Sequence, residues 1–216
     1  MITLHYHPGN ASMAPHMLLR EIGEPFALTL VDRTNNAHKS PAYLKLNPNG
    51  SIPVLVDGEL VLYETAAICM HLADAYPAAA LAPALGTPAR AHFYKWIVWM
   101  TNTLQARLMH YFYPDRLLAD ADADTANALR AQAQADIGGM LEQLDAQVAR
   151  SGGPWLLGAH YSAADPVAFM LCRWTRGFST KPAREYAHLG SYVQRVLARP
   201  AVQVALKAEG LVAPFV

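Results

Sequence analysis

Asn47-Pro48-Asn49-Gly50-Ser51-Ile52-Pro53-Val54-Leu55-Val56-Asp57-Gly58-Glu59-Leu60-Val61-Leu62 is the stretch whose reading decides the fold. Two β-rich triplets, Val54-Leu55-Val56 and Leu60-Val61-Leu62, flank Asp57-Gly58, and Glu59 opens the second arm. A short Asp-Gly turn between such runs predicts a hairpin. Pro53 heads the first arm, and a proline has no N–H to give a ladder, so central strands exclude it. Two arrangements accommodate it. One is an edge strand with a trans bond; the other is a cis Ile52–Pro53 bond that turns the chain and aims the Ile52 backbone outward. In the second, the free N–H and C=O of Ile52 can pair with a peptide ligand as an added strand.

Upstream, Thr3 to His7 is a short β-type run that stops at Pro8-Gly9. A helix follows, with Leu18, Leu19 and Ile22 on one face and Gly23 as its stop signal. Phe26 to Asp32 is the next strand. Downstream of the hairpin, Ile68, Leu72 and Ala75 return to the helical period between Glu64 and Tyr76. The order is strand, helix, strand, loop, hairpin, helix: a β-α-β unit followed by a β-β-α unit, which makes a small α/β layer fold. Pro77 to Pro88 is rich in proline and alanine, carries no charge before Arg90 and reads as a linker. Beyond it the pattern is helical throughout. Ala89 to Tyr113 reads as one long helix ending at Pro114, and Ala126 to Arg150 as another, closed by Ser151-Gly152-Gly153-Pro154. Further helices are expected near 165–177, 184–198 and 200–208. The fold class is therefore α/β followed by all-α.

The 216 residues carry 17 Lys+Arg against 17 Asp+Glu, with charged residues at 16% and hydrophobic residues at 53%. A neutral balance argues against a nucleic-acid partner, which needs a basic face, and equally against electrostatic docking to a membrane. No apolar run approaches the roughly 18 residues of a membrane span, and no basic n-region precedes an apolar segment. A surface so poor in charge favours self-association, so a dimer is expected. Cys69 and Cys172 lie far apart in apolar company, with no CxxC and no Cys/His cluster. They read as buried reduced thiols in a cytoplasmic protein; no metal site is expected.

Two further stretches could carry chemistry. Thr65 is a good N-cap for the helix after the hairpin, and Glu64 sits where that helix is electropositive. The same groups could take a ligand carboxylate on Thr65 and the backbone N–H groups, and an ammonium on Glu64. In Asn10-Ala11-Ser12, either Asn10 or Ser12 caps the first helix, because Pro15 is tolerated only in a first turn. Alternatively the Ser12 hydroxyl donates to an anion held there.

Taken together, Tyr6-His7-Pro8-Gly9, the loop from Asn47-Pro48 to Pro53, the hairpin, Glu64-Thr65, and Pro154-Trp155-Leu156-Leu157-Gly158 with Ser162 and Asp165 resemble a bacterial, cytosolic-type glutathione S-transferase. The likeness runs almost end to end, down to Arg199-Pro200-Ala201-Val202. It implies a thioredoxin-like domain at 1–80 and a helical domain at 86–216, with 81–85 in the linker, and a homodimer. By that resemblance, Ile52 bonds the cysteinyl backbone of glutathione beside cis-Pro53, and Glu64 and Thr65 hold its γ-glutamyl end. His38 stands near the glycyl carboxylate, and Asn49, Gly50 and Ser51 line the same groove. The cysteine of one bacterial branch is replaced by Ala11, and its second-domain histidine by Gln105. Thiolate activation then falls to Ser12, or to Asn10.

The electrophile is expected between the domains, against Tyr6, Met109, Tyr113 and Trp174, with Tyr111, Phe112 and Phe178 as further aromatic candidates and His110 as a possible proton donor. The implied activity is conjugation of glutathione, a co-substrate and not a cofactor, to a small hydrophobic electrophile. Glutathione-dependent reduction or isomerisation, or a non-catalytic binding role, is the alternative. Asp165 is structural on either of two readings: reciprocal partner of a Ser162 cap, as the resemblance has it, or itself the cap with Pro166 at the first helical position. Pro166 favours the second.

Overall fold

The computed structural model describes residues 1–118, 120 and 122–216. Strand β1 (Ile2–Tyr6) sends Ile2 and Leu4 to one face, where both are buried, as the two-residue period of a strand requires. It pairs in parallel with β2 (Phe26–Leu30) and antiparallel with β3 (Val54–Asp57), and β4 (Leu60–Tyr63) completes the sheet in the order β2-β1-β3-β4. Asp57 pairs with Leu60, so the connecting residues are Gly58 and Glu59, with Gly58 at φ 59. The hairpin is where the sequence puts it, but Asp57 is the last strand residue. The turn has its positive φ at the first central position, where only glycine is at ease.

The Ile52–Pro53 bond is cis. Pairing of β3 with β1 ends at Val54 opposite His5. Pro53 therefore lies just outside the ladder of an interior strand and removes none of its bonds, which resolves the choice left open by the sequence.

Helix α1 (Met13–Ile22) covers the buried face of the sheet and ends at Gly23, whose φ is 82 and whose N–H reaches the Leu19 carbonyl. Helix α2 (Pro41–Leu44) lies beneath the loop that leads to Ile52, where Val31, Tyr43, Ile52 and Val54 form a small separate cluster. Helix α3 (Thr65–Ala75) follows the hairpin. Glu64, not Thr65, is its N-cap residue, and no side chain caps the first turn. The Thr65 hydroxyl donates instead to the Ala11 carbonyl at 3.4 Å.

The second half contains α4 (Pro88–Trp99), a π-helical stretch over Met100–Gln105, α5 (Ala106–Phe112), α6 (Ala123–Arg150), α7 (Ala164–Trp174), α8 (Leu189–Leu197) and α9 (Pro200–Ala208). The expected single helix to Tyr113 is thus interrupted by a wider turn. There the Thr101 hydroxyl donates to the Ile97 carbonyl at 3.0 Å, a local competitor for the helical ladder. Trp155 and Gly158 form an isolated bridge. Among the described residues no helix is long and apolar enough to cross a membrane.

One core runs through both halves, from Leu4, Met17 and Leu18 to Phe93, Trp96, Phe169 and Tyr192. Polar clasps cross the same boundary. The N–H of Gly9 donates to Glu209 Oε2 at 2.8 Å, its C=O accepts from Trp174 Nε1 at 3.0 Å, and His16 Nδ1 lies 2.8 Å from Glu209 Oε1 with both side chains fully buried. Arg199 grips Glu21 through two bonds of 2.5 and 2.7 Å.

Asp165 is fully buried at the start of α7. Its carboxylate accepts from the N–H and hydroxyl of Ser162, the N–H of Leu156 and the hydroxyl of Tyr192, at 2.7, 3.2, 2.9 and 2.8 Å. Asp165 thus reaches back to Ser162, whose hydroxyl oxygen accepts from the Ala164 N–H at 3.3 Å, but the N-cap residue is Ala163, which makes no side-chain cap bond; neither Ser162 nor Asp165 is the cap residue, and Pro166 is not at the first helical position. The helix begins at Ala164, which puts Pro166 inside the first turn, where its missing N–H has no intrahelical partner to lose. Replacing Asp165 by alanine leaves several buried donors unpaired at about 1–3 kcal/mol each. Urea unfolding of Asp165→Ala should therefore show a loss of about 3 kcal/mol or more, beyond the roughly 0.5–2 kcal/mol of an ordinary cap; a loss within the ordinary range would show that the Leu156 and Tyr192 bonds contribute little.

Candidate functional site

A cleft of about 800 Å³ opens between the two halves. Its floor comes from the β1–α1 loop, the α2–β3 loop and the start of α3, and its far wall from α5, the segment after it, and the end of α7. The α2–β3 loop is held from beneath. The Ser51 carbonyl accepts from both Tyr43 Oη and Asn47 Nδ2 at 2.8 Å, and Asn47 Oδ1 takes the Asn49 N–H at 3.0 Å. Burial pushes the Tyr43 hydroxyl up to about 12, so it stays a donor. Gly50 has φ 60, and a Cβ there would stand 2.9 Å from the His38 carbonyl oxygen, so both conformation and space demand glycine. The loop so fixed presents Ile52, whose backbone N–H and C=O have no partner among the described residues.

Beside it, Glu64 is held at φ 74, ψ 115. A non-glycine residue in that region carries about 1–3 kcal/mol of strain, which persists where surroundings impose it and clusters at functional sites. No side chain caps α3, and its N-cap residue Glu64 and first residue Thr65 both line the cleft. One end of the floor can therefore take an anion and a cation side by side.

The β1–α1 loop separates the two candidates for thiol activation. Ser12 is fully buried, outside the cleft lining; its hydroxyl donates to the His7 carbonyl at 3.1 Å and accepts the His7 N–H at 3.2 Å. A hydroxyl has one proton, and here the backbone holds it. Asn10 lines the cleft, with Oδ1 taken by the Ala11 N–H at 2.5 Å and its amide nitrogen without a partner among the described residues. His7 lines the cleft too, its Nδ1 at 3.0 Å from the Val31 carbonyl.

Met109, Phe112, Tyr113 and Trp174 form the far wall. Trp174 stacks edge-on to Phe112, and its indole N–H is the bond to Gly9, so one side chain both walls the cleft and joins the halves. Tyr6 is absent from the lining. It shares a strand face with Leu4 and packs toward His16, with ring centroids 6.2 Å apart. Tyr111 and Phe178 stack on each other outside the cleft, and His110 pairs with Arg107. Of the residues proposed from sequence, the structure gathers Asn10, His38, Ser51, Ile52, Pro53, Glu64, Thr65, Met109, Tyr113 and Trp174 in one cleft and leaves out Ser12 and Tyr6.

The sequence reading missed the cations. Arg33, Lys39, Arg116 and Arg176 all line the cleft, against the single carboxylate of Glu64 among its described lining residues. They come from three separate segments, the β2–α2 connection and the stretches after α5 and α7, so no run or motif signals them. Gln105, at the end of the π stretch, turns into the cleft with a buried Oε1 that has no partner among the described residues. His38 Nδ1 is likewise buried and unpartnered. Burial holds the His38 ring below its usual 6.5, with Arg33, Lys39, His7 and Arg116 pushing the same way. Cys69 and Cys172 are fully buried and burial pushes both thiols up, so neither offers a thiolate to the cleft.

Residues 1–74 match the family described as glutathione S-transferase, N-terminal domain, and residues 108–209 match glutathione S-transferase, C-terminal domain. Glutathione S-transferase GST-4.5 of Xanthomonas campestris pv. campestris is 33% identical over 214 residues, covering 96% of this chain and 98% of that protein. Among solved structures, a glutathione transferase homologue from Sulfitobacter with bound glutathione superposes with a TM-score of 0.86 at 27% identity, over 98% of this chain and 99% of its own. A sphingomonad glutathione S-transferase complexed with glutathione superposes at 0.82 with 32% identity, over 97% and 100%.

The His38 environment makes a measurable prediction. In the free protein its ring should titrate below 6.5 by NMR, and a carboxylate bound beside it should raise that pKa. The complex then takes up a proton, so affinity should strengthen as pH falls through the bound-state pKa and level off below the free-state value. An affinity for glutathione that is flat across this window would detach His38 from the bound carboxylate.

Proposed function

This chain belongs to the glutathione S-transferase family, and on that premise we propose that it activates the glutathione thiol for attack on an electrophile held against the second domain. The observation that carries the reading is the open backbone of Ile52 beside the uncapped first turn of α3 and the strained Glu64. Those groups match a γ-glutamyl peptide in kind and order. Ile52 pairs with the cysteinyl N–H and C=O as one more strand; the α3 N-terminus with Thr65 takes the γ-glutamyl carboxylate; Glu64 takes the ammonium. His38 and Lys39 stand ready for the glycyl carboxylate, with Ser51 and cis-Pro53 shaping the groove between.

Activation is assigned to Asn10. A free thiol has a pKa near 8.5, and bringing it down about two units requires about 2.7 kcal/mol. A helix N-terminus contributes about 0.3–1 kcal/mol, and a hydrogen bond to a charged group about 1.5–3 kcal/mol. The Asn10 amide nitrogen and the start of α1 together reach that range without a cysteine. The thiolate sulfur then attacks the electrophile seated against Met109, Tyr113 and Trp174, the protein supplying position and a stabilised anion.

We place the domain boundary in 81–85. We also propose a homodimer, for which the exposed Leu60 and Val61 of β4 and Tyr94 and Val98 of α4 supply apolar surface. Two free, buried cysteines suit a reducing, cytoplasmic setting.

Titration calorimetry with reduced glutathione at pH 7 should show saturable binding at one site per chain; no heat at millimolar glutathione would overturn the transferase reading. Among variants, Asn10→Ala should lose about 10- to 100-fold in kcat/KM at little cost in glutathione affinity. Ser12→Ala should instead lose about 1–3 kcal/mol of stability through the two His7 bonds. A folded Ser12→Ala without activity, beside an active Asn10→Ala, would return the role to Ser12.

A further inference from the structure

We infer that the electrophile this cleft takes carries a carboxylate, held by Arg116 and Arg176 at the rim while Met109, Phe112 and Trp174 receive its apolar body. The inference rests on the glutathione reading above and refines the small hydrophobic electrophile expected from sequence. Four cations line the cleft, and among the described residues none of them forms an ion pair with a carboxylate. The chain as a whole has a formal net charge of zero, so the excess is local to this site.

Glutathione accounts for part of it. Its ammonium goes to Glu64, its γ-glutamyl carboxylate to the start of α3, and its glycyl carboxylate to His38 and Lys39. Arg116 and Arg176 belong to the other wall. Arg116 sits 4.0 Å above the centroid of the Tyr113 ring, and Arg33 donates to the Tyr113 hydroxyl at 3.2 Å, so Tyr113 gathers two guanidinium groups at one side of the mouth. Arg176 is anchored at the end of α7 through its bond to the Arg173 carbonyl at 3.1 Å, two residues beyond Trp174. A mouth lined by one sign of charge concentrates ligands of the other sign. An aromatic wall rimmed by guanidinium groups fits an apolar body with an anionic end. The planar donor fork of a guanidinium group matches the two oxygens of a carboxylate, and the anion is assigned to that class.

The test uses a chlorodinitrobenzoate and its methyl ester, which share one reaction and differ in one charge. The glutathione sulfur adds to the ring carbon bearing chlorine and forms the C–S bond; the C–Cl bond breaks, chloride leaves with the bonding pair, and the thiol proton passes to water. After correction for the uncatalysed rates, the wild-type protein should prefer the acid by about tenfold in kcat/KM, an effect moderated by the exposure of both arginines. The preference should shrink as salt is raised. Arg116→Gln combined with Arg176→Gln should bring the ratio near one through the KM of the acid, and the corresponding lysine variants should restore part of it.

An acid-to-ester ratio near one in the wild type, or a ratio that the double variant leaves unchanged, overturns the inference while efficient turnover of the ester keeps the transferase reading intact. Should neither compound be turned over and glutathione not bind, the transferase reading fails on its own. Calorimetry with the unreactive dinitrobenzoate and its ester then decides: arginine-dependent binding of the acid supports the anion site, and equal binding of the two refutes it.

Discussion

The arrangement of the cleft depends on the backbone of one residue. Gly9, at φ 69, offers its N–H to Glu209 and its C=O to Trp174, and thereby fixes the β1–α1 loop to the second half of the chain. Glu209 also meets His16 of α1, so a single buried carboxylate holds both the loop and the helix it leads into. Buried polar groups are tolerated when every donor and acceptor finds a partner, and removing one member exposes the others to desolvation without compensation. Asn10, the next residue, inherits its placement from this clasp, as Trp174 inherits its orientation. The geometry between a thiol on the floor and an electrophile on the wall is set there.

The two walls use different physics. On the floor, recognition comes mainly from the backbone: the open groups of Ile52 and the bare first turn of α3, with Glu64 and Lys39 contributing charge. Such groups are rigid, because Tyr43, Asn47 and a tightly packed Gly50 leave the loop little freedom. On the far wall, recognition comes from long side chains: Met109, Phe112, Tyr113 and Trp174 with arginines between them. Backbone recognition suits a peptide with a fixed pattern of donors and acceptors. A wall of side chains can be retuned by single substitutions without disturbing the floor.

Much of this was legible in the sequence. Asp57-Gly58 between two β triplets marked the hairpin, Gly23 and Pro114 ended their helices, and the order of elements gave the α/β half and the helical half. The resemblance carried Ile52, Glu64 and Thr65 to the cleft. The rest was not legible, for identifiable reasons. Ser12 and Asn10 are both plausible donors in a string; only the His7 backbone, which occupies the Ser12 hydroxyl, separates them. Tyr6 falls on the wrong face of β1, a matter of which strand face α1 covers. Asp165 turns back to Ser162 where Leu156 and Tyr192 converge on the same carboxylate from other segments. The wider turn at Met100–Gln105 leaves no mark in the apolar pattern.

By itself, the sequence determined what is local: strand and helix periods, turn residues, the proline that excludes an ordinary central strand, and the absence of net charge. These follow from backbone sterics and from propensities that act over a few residues. Only the tertiary structure decided where charge accumulates and which side chain faces the cleft. A total of zero conceals four cations brought to one mouth from three segments spread between Arg33 and Arg176, and electrostatic interaction depends on distance through space, which composition does not record.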